Sequence, residues 1–246
     1  MSYKKKFMKK IRLGVNIDHV ATIRNARGEG FPDLVEVVKV LKDIKVDSIT
    51  VHLREDRRHI KDEDVLILKK TNLLPLNLEM AATQEMLDFC LDLKPYACCI
   101  VPEKREELTT EGGLNVIKQK KYLKDFISKL RSNGVRTSLF IEPDIGQVAA
   151  AKEINASAVE LHTGKYSRLF KDKLHFDELK IIKNVASKCS KLKLECHAGH
   201  GLDYFNVTEI SRIPQIEELN VGHFLVANSI FDGIEKTVKK FQKIIN

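Results

Sequence analysis

A single (β/α)8 barrel of the α/β class is the fold this 246-residue chain predicts, and three observations predict it. Short apolar segments alternate with longer amphipathic ones from end to end, the pattern of repeated βα units around a parallel sheet. There are eight such units, roughly 30 residues each, the size of a βα repeat. No Pro/Gly/Ser-rich linker divides the chain. An open doubly wound sheet is disfavoured because no Gly-x-Gly-x-x-Gly follows the first strand, the nearest glycines being Gly14, Gly28 and Gly30.

In chain order, the strand segments are Ile11 to Ile17, Ser48 to Leu53, Leu76 to Met80, Tyr96 to Val101, Val135 to Ile141, Ala158 to His162, Leu192 to Cys196 and Glu218 to Val221. Helical periodicity marks Leu34 to Ile44, Val65 to Leu73, Gln84 to Leu93, Leu114 to Ser132, Ile145 to Ile154, Phe176 to Lys188, Val207 to Arg212 and Ile234 to Ile245. Asp62, Glu63 and Asp64 open one helix and Lys69 and Lys70 close it, complementing its dipole. Asp144 with Gln147 resembles a capping box, and Gly134 suits a left-handed helix end. One domain, 1–246, is expected, with residues 1–10 a lysine-rich, flexible tail.

Composition removes several classes. Hydrophobic residues make up 43% and charged residues 31%, and no apolar run approaches the ~20 residues of a membrane helix. The five cysteines contain no Cys-x-x-Cys and form no even-numbered framework, which suits a reducing cytoplasm, and the N-terminus lacks the apolar core of a secretory signal. Net charge is +8, but five charges belong to Lys4, Lys5, Lys6, Lys9 and Lys10, leaving +3 for the body. With scattered lysines and no Trp there is no nucleic-acid footprint, while small anions such as sugar phosphates remain favoured.

In a barrel the loops after the strands build the catalytic face, so polar residues at strand ends are candidates. Strand one runs out in Asn16-Ile17-Asp18-His19 and strand two in His52-Leu53-Arg54, followed by Glu55 to His59. Strand three carries Glu79, strand six Glu160 and His162, strand seven His197 to Gly201, and strand eight Gly222-His223. Seven of eight histidines, all but His175, fall at such positions. An interior carboxylate such as Glu79 needs a partner or a raised pKa, and imidazole titrates near neutrality, so both suit proton transfer. Each also has an ordinary structural alternative, as a satisfied core histidine or a loop cap. Gly199-His200-Gly201 and Gly222-His223 occupy the positions where barrels take a phosphate on backbone N–H groups. The loop from Pro102 to Gly113 exceeds the usual length, ends in Gly-Gly and is expected to act as a lid.

These segments together resemble the pyridoxine 5'-phosphate synthase family over nearly everything from Leu13 onward. The words that carry the resemblance are Gly14-Val15-Asn16-Ile17-Asp18-His19, Arg24-Asn25-Ala26-Arg27-Gly28, the run Thr50 to Ile60, Asn77-Leu78-Glu79-Met80, Val101 to Arg105, Thr109 to Gly113, His162-Thr163-Gly164, Ala198 to Leu202 and Asn220 to His223. The resemblance implies condensation of 3-amino-2-oxopropyl phosphate with 1-deoxy-D-xylulose 5-phosphate, without metal or organic cofactor, in a cytoplasmic homo-octamer. It implies His52 and Glu79 as general bases, His200 as proton donor and Glu160 as stabiliser of charged intermediates. It places Asn16, Arg27, Gly201, Gly222 and His223 on the aminoketone phosphate, and Asp18, His19, Arg54, His59 and Thr109 on the deoxyxylulose phosphate. The chain departs from the family pattern at Glu195-Cys196-His197, where asparagine is usual at the third position, and in the lysine-rich stretch Lys165 to Lys173.

Three other readings compete. A metal-dependent hydrolase would want His-x-His on strand one and an Asp on strand eight, and neither is present. A Schiff-base aldolase would want a lysine ending a strand, whereas Lys165 lies beyond one. A non-enzymatic phosphate binder would leave His52 and Glu79 without a task.

Overall fold

The computed structural model describes residues 10–104, 107, 109 and 112–246. Eight parallel strands close on themselves: β1 (Arg12–Asn16), β2 (Ser48–His52), β3 (Leu76–Met80), β4 (Ala97–Ile100), β5 (Arg136–Ile141), β6 (Ala158–His162), β7 (Glu195–Gly199) and β8 (Ile216–Val221), each paired with the next and β8 with β1. This is the (β/α)8 barrel that the alternation predicts. The expected flexible tail lies almost wholly outside the described residues; its last residue, Lys10, pairs with Asp47 at 3.5 Å.

Helices α2 (Leu34–Asp43), α3 (Asp62–Thr71), α4 (Gln84–Leu93), α5 (Val116–Ser132), α6 (Ile145–Glu153), α8 (Phe176–Lys191), α9 (Val207–Ser211) and α11 (Ile234–Ile245) match the periodic segments. Three more were not apparent from periodicity: α1 (Asp18–Arg27), α7 (Gly164–Phe170) and α10 (His223–Asp232). All three begin directly after a strand; α1 and α7 turn polar residues toward the barrel mouth, which interrupts the apolar stripe, whereas α10 has no single apolar face because Ile230 and Phe231 are exposed as well. Strand seven also differs from expectation. It starts at Glu195 and runs to Gly199, so the apolar Leu192 to Leu194 precede it and His197 is a mid-strand residue.

Local chemistry fixes the helix starts. Asp33 accepts from the amides of Val35 and Glu36, and Thr83 from that of Met86. Asp144 accepts from the Gln147 amide at 2.8 Å, but Gln147 does not complete the capping box. Its side chain instead accepts from the Val116 amide at 2.8 Å, tying α6 to α5.

Side chains alternate across each strand, and here the alternation sorts by polarity. Leu13, Val15, Ile49, Val51, Leu78, Met80, Leu139, Ile141, Val159 and Leu161 face outward into a buried apolar layer beneath the helices. The opposite set includes Arg12, Asn16, Ser48, Thr50, His52, Asn77, Glu79, Arg136, Ser138, Glu160, His197, Glu218 and Asn220. The lumen of this barrel is therefore polar, and its free energy of folding comes mainly from the outer layer. No helix among the described residues is long and apolar enough to cross a membrane.

Candidate active site

A cavity of about 990 Å³ opens at the C-terminal mouth of the barrel. That volume suits two small phosphorylated molecules. Asn16, Asp18, His19, His52, Arg54, His59, Glu79, Glu160, His200, Gly201, Gly222 and His223 all line it, although they come from opposite ends of the sequence.

Asp18, the first residue of α1, is buried and fastens β1 to β2. One carboxylate oxygen accepts from the His52 amide at 2.9 Å and the other from Asn16 Nδ2 at 2.9 Å. Burial raises its pKa, while the bonds from the His52 amide and Asn16 oppose that rise. Holding the His52 backbone aims its imidazole. Nε2 lies 3.0 Å from Glu103 Oε1, and Nδ1 faces Glu79 Oε2 at 4.0 Å. Glu103, just past β4, also accepts from the Glu55 amide at 3.1 Å. Burial pushes the Glu103 carboxyl up, but His52, the Glu55 amide and Arg54 outweigh it and the net shift is downward. An ionised Glu103 thus fixes the tautomer of His52 and leaves Nδ1 toward Glu79 and the cavity.

Glu79 has the opposite fate. Burial, with the charges of Glu160 and Asp18 nearby, raises its pKa well above the usual carboxylate range. Glu160 is raised to about 7 by burial, against the pull of His197 and of Asn220, whose Nδ2 donates to it at 2.7 Å. Two carboxyls whose pKa values are raised by burial in one cavity are equipped to take and return protons. Space for Glu160 is made by Gly199: a Cβ there would lie 2.3 Å from Glu160 Oε1 and 2.8 Å from the Asn220 carbonyl.

Two imidazole groups flank the mouth. His19 lies 5.0 Å from His223 and 5.7 Å from His59 between ring centroids, and His59 Nδ1 meets the Thr22 hydroxyl at 2.8 Å. Burial first, then neighbouring positive charge, lowers the pKa values of His19 and His59. Opposite them, His162 and His200 stack edge to face at 4.7 Å. His162 Nδ1 is 2.6 Å from the buried carboxylate of Glu142. Burial, His162 and Arg168 lower the pKa of His200. His200 has φ of +81°, a left-handed backbone that a histidine rarely adopts, followed by Gly201 at +78°. Thr163 Oγ1 donates to the carbonyls of Gly199 and His200 at 2.7 Å each and holds that turn. Gly222 precedes α10, whose first amides point toward the cavity with His223 as its first residue.

Two of the sequence-predicted residues stand apart from this lining. Arg27, on the last turn of α1, is exposed and donates to Glu29 at 3.1 Å. Thr109 bonds through its amide to the Gly113 carbonyl at 2.7 Å, and its buried hydroxyl has no partner among the described residues. Part of the expected lid, residues 105, 106, 108, 110 and 111, lies outside the described residues. The remaining charges after β2 are paired: Arg57 with Asp62 and Glu85, Arg58 with Asp56, Glu55 with Lys104.

Sequence reasoning missed Glu103 and Glu142 as partners of His52 and His162, Asn220 as partner of Glu160, and the lining residues Phe140, Ser167, Arg168 and Lys171. Ser167 and Arg168 sit on α7 and Lys171 caps its C-terminal end, inside the lysine-rich stretch whose conformation was open. Asn220 could have been found from strand alternation alone, since it shares a face with Gly222, which was already singled out; Phe140 lies on β5, where no residue was singled out.

Comparison with known proteins fits this site. Residues 13–246 match the family model described as pyridoxal phosphate biosynthesis protein PdxJ. The chain belongs to the PdxJ family. It is 51% identical over 238 residues to pyridoxine 5'-phosphate synthase of Zymomonas mobilis, covering 97% of this chain and 93% of that one. To the synthase of Gluconobacter oxydans it is 50% identical over 236 residues, covering 96% and 99%. Beyond the PdxJ family, orotidine 5'-monophosphate decarboxylase from Methanocaldococcus jannaschii shares the fold, with a TM-score of 0.65 at 11% identity and coverage of 96% and 99%.

Proposed function

We propose that this chain is a pyridoxine 5'-phosphate synthase. It condenses 3-amino-2-oxopropyl phosphate with 1-deoxy-D-xylulose 5-phosphate to pyridoxine 5'-phosphate, phosphate and water. Besides family membership, one observation carries the reading: Glu79 and Glu160, both shifted toward neutral pH, share a cavity with His52 and His200. Every step of such a condensation moves a proton, and these four groups can supply and accept them.

His52, oriented by Glu103, and Glu79 act as bases for imine formation and for the ring-closing aldol step. His200, neutral at rest, takes up a proton and returns it to a leaving oxygen, and Glu160 stabilises positively charged imine intermediates. The aminoketone phosphate rests on Asn16, Gly201, Gly222 and His223 at the N-terminus of α10, with Arg27 joining once its Glu29 pair opens. The deoxyxylulose phosphate meets Asp18, His19, Arg54 and His59, with Thr109 brought in by closure of the Pro102 to Gly113 loop. The reading routes no step through a metal or organic cofactor, and it places the enzyme in the cytoplasm as a homo-octamer.

Mixing both substrates with the protein is expected to release phosphate and to raise the absorbance of pyridoxine 5'-phosphate together; binding of both without product overturns the assignment. A metal-assisted reading has one observation in its favour: Asp18, His52 and Glu79 bring a ligand atom each within 4.8 Å of one another. Full turnover after exhaustive chelation, with no stoichiometric metal in the purified protein, removes it.

A further inference from the structure

His197 lies in the middle of β7, 3% exposed, in register with Glu160 on β6 and Glu218 on β8. Its two ring nitrogens meet two different carboxylates: Nε2 lies 2.9 Å from Glu195 Oε1, and Nδ1 lies 3.5 Å from Glu218 Oε1. A neutral imidazole has one N–H and would turn a lone pair toward one of these anions. Only the imidazolium offers a proton to both.

The carboxylates are themselves held by arginines from the barrel floor. Arg12 binds Glu195 and, at 2.8 Å, Glu218, while Arg136 binds the other oxygen of Glu195. Arg12 and Arg136 thus balance Glu195 and Glu218, and a charged His197 is left over as one net positive charge. Beside it, in register on β6, stands Glu160, which receives only one hydrogen bond among the described residues, from the neutral amide of Asn220. The other titratable groups acting on Glu160 and its surroundings are Glu218 on β8, His162 on its own strand, and Glu79 and Cys99 on β3 and β4. Of these only His162 can be positive, and it is already bonded to Glu142 at 2.6 Å. The counter-charge for a carboxylate at position 160 therefore comes from His197.

We propose that His197 is a positioning residue for the condensation: clamped as an imidazolium between Glu195 and Glu218, it supplies the buried positive charge that keeps Glu160 ionised and aimed into the cavity. The proposal rests on the reading of Glu160 as the stabiliser of charged intermediates, and it deepens that reading by naming what sustains the charge. Removing the imidazolium leaves a buried anion without compensation, and such a group takes up a proton instead.

The test is His197→Asn, which keeps an amide donor for Glu195 and deletes the charge. The acidic limb of the kcat profile is expected to move to higher pH by about one pH unit, so that kcat at pH 7 falls about fivefold and recovers to within about twofold at pH 9. KM for both substrates should stay within about threefold. A loss that is equal at every pH, or no loss at any pH, overturns the proposal. Isotope-edited infrared spectra at pH 7 give a readout independent of turnover. His197→Asn should strengthen the protonated carboxyl band relative to the wild type, and the added intensity should vanish when Glu160→Gln is added. Absence of that added intensity also overturns the proposal. If the asparagine variant does not fold, His197→Gln replaces it, and the wild type can be read directly: ring-15N spectra that show His197 with a single N–H at pH 7 refute the clamp. Full turnover in Glu160→Gln would instead remove the role of Glu160 itself while leaving the infrared result standing.

Discussion

The two ends of the barrel lumen hold the same kinds of residue in opposite states. At the floor, Arg12, Arg136, His197, Glu195 and Glu218 are paired into one network, and the adjoining void is only about 10 Å³. At the mouth, His52, Glu79, Glu160 and His200 surround about 990 Å³ with few direct partners. Pairing pulls Glu195 and Glu218 below the usual carboxylate range against the opposing effect of burial, whereas burial without enough partners pushes Glu79 and Glu160 above it. Residue type therefore does not decide between support and chemistry in this lumen. What decides is whether the neighbouring strands supply a counter-charge.

The comparison breaks or sharpens on four substitutions. Glu79→Gln at the mouth should lower kcat ~100-fold or more with KM for both substrates little changed and with unfolding by denaturant unaltered. A loss of stability instead would make the two ends alike. Glu195→Gln at the floor should cost about 2 kcal/mol of folding stability at neutral pH, because it leaves Arg12, Arg136 and His197 short of an anion. The pH dependence has a defined sign. The folded pKa of Glu195 lies below its unfolded value, so its stabilisation is complete above the unfolded carboxylate pKa of ~4.3 and is lost as pH falls below it. Denaturant midpoints of the wild type and of Glu195→Gln should therefore converge toward pH 3 and separate by pH 6; a constant gap contradicts the pairing.

Between the two ends, Gly199→Ala places a methyl where Glu160 now sits, and kcat should fall about tenfold as that carboxylate is displaced. Unchanged kinetics would mean the lumen yields more easily than its packing suggests. Smallest of all, Arg57→Ala outside the lumen removes half-exposed pairs with Asp62 and Glu85, and should cost about 0.5 kcal/mol with kcat unchanged. A drop in kcat would move Arg57 into the site.

Much of this was legible in the chain. The alternation of segments gave the barrel, since each βα repeat announces itself by a local change of hydrophobic period. The positions of His52, Glu79, Glu160 and His200 at strand ends were readable for the same reason. The helices α1, α7 and α10 were not, because α1 and α7 turn polar residues to the cavity and α10 is apolar on its exposed side too, so none shows a clean apolar stripe. Glu103 and Glu142 were missed because each acts on a histidine from a different strand, and nothing in local sequence announces such a partner. Arg27 was readable only as part of a recognisable word, and its exposed pair with Glu29 on the last turn of α1 is a contact that only the folded chain shows.

His197 marks the division most sharply. Sequence alone determined that a histidine stands near the end of the seventh strand, two residues after a glutamate and three before His200. Whether it faces the cavity or the floor depends on where β7 begins, and a shift of one residue exchanges the two faces of a strand. That start is set by pairing with β6 and β8, so only the closed barrel puts His197 beside Glu160 with a carboxylate at each nitrogen. Residue chemistry is local to the chain, but charge compensation is a property of neighbours that the chain brings together only on folding.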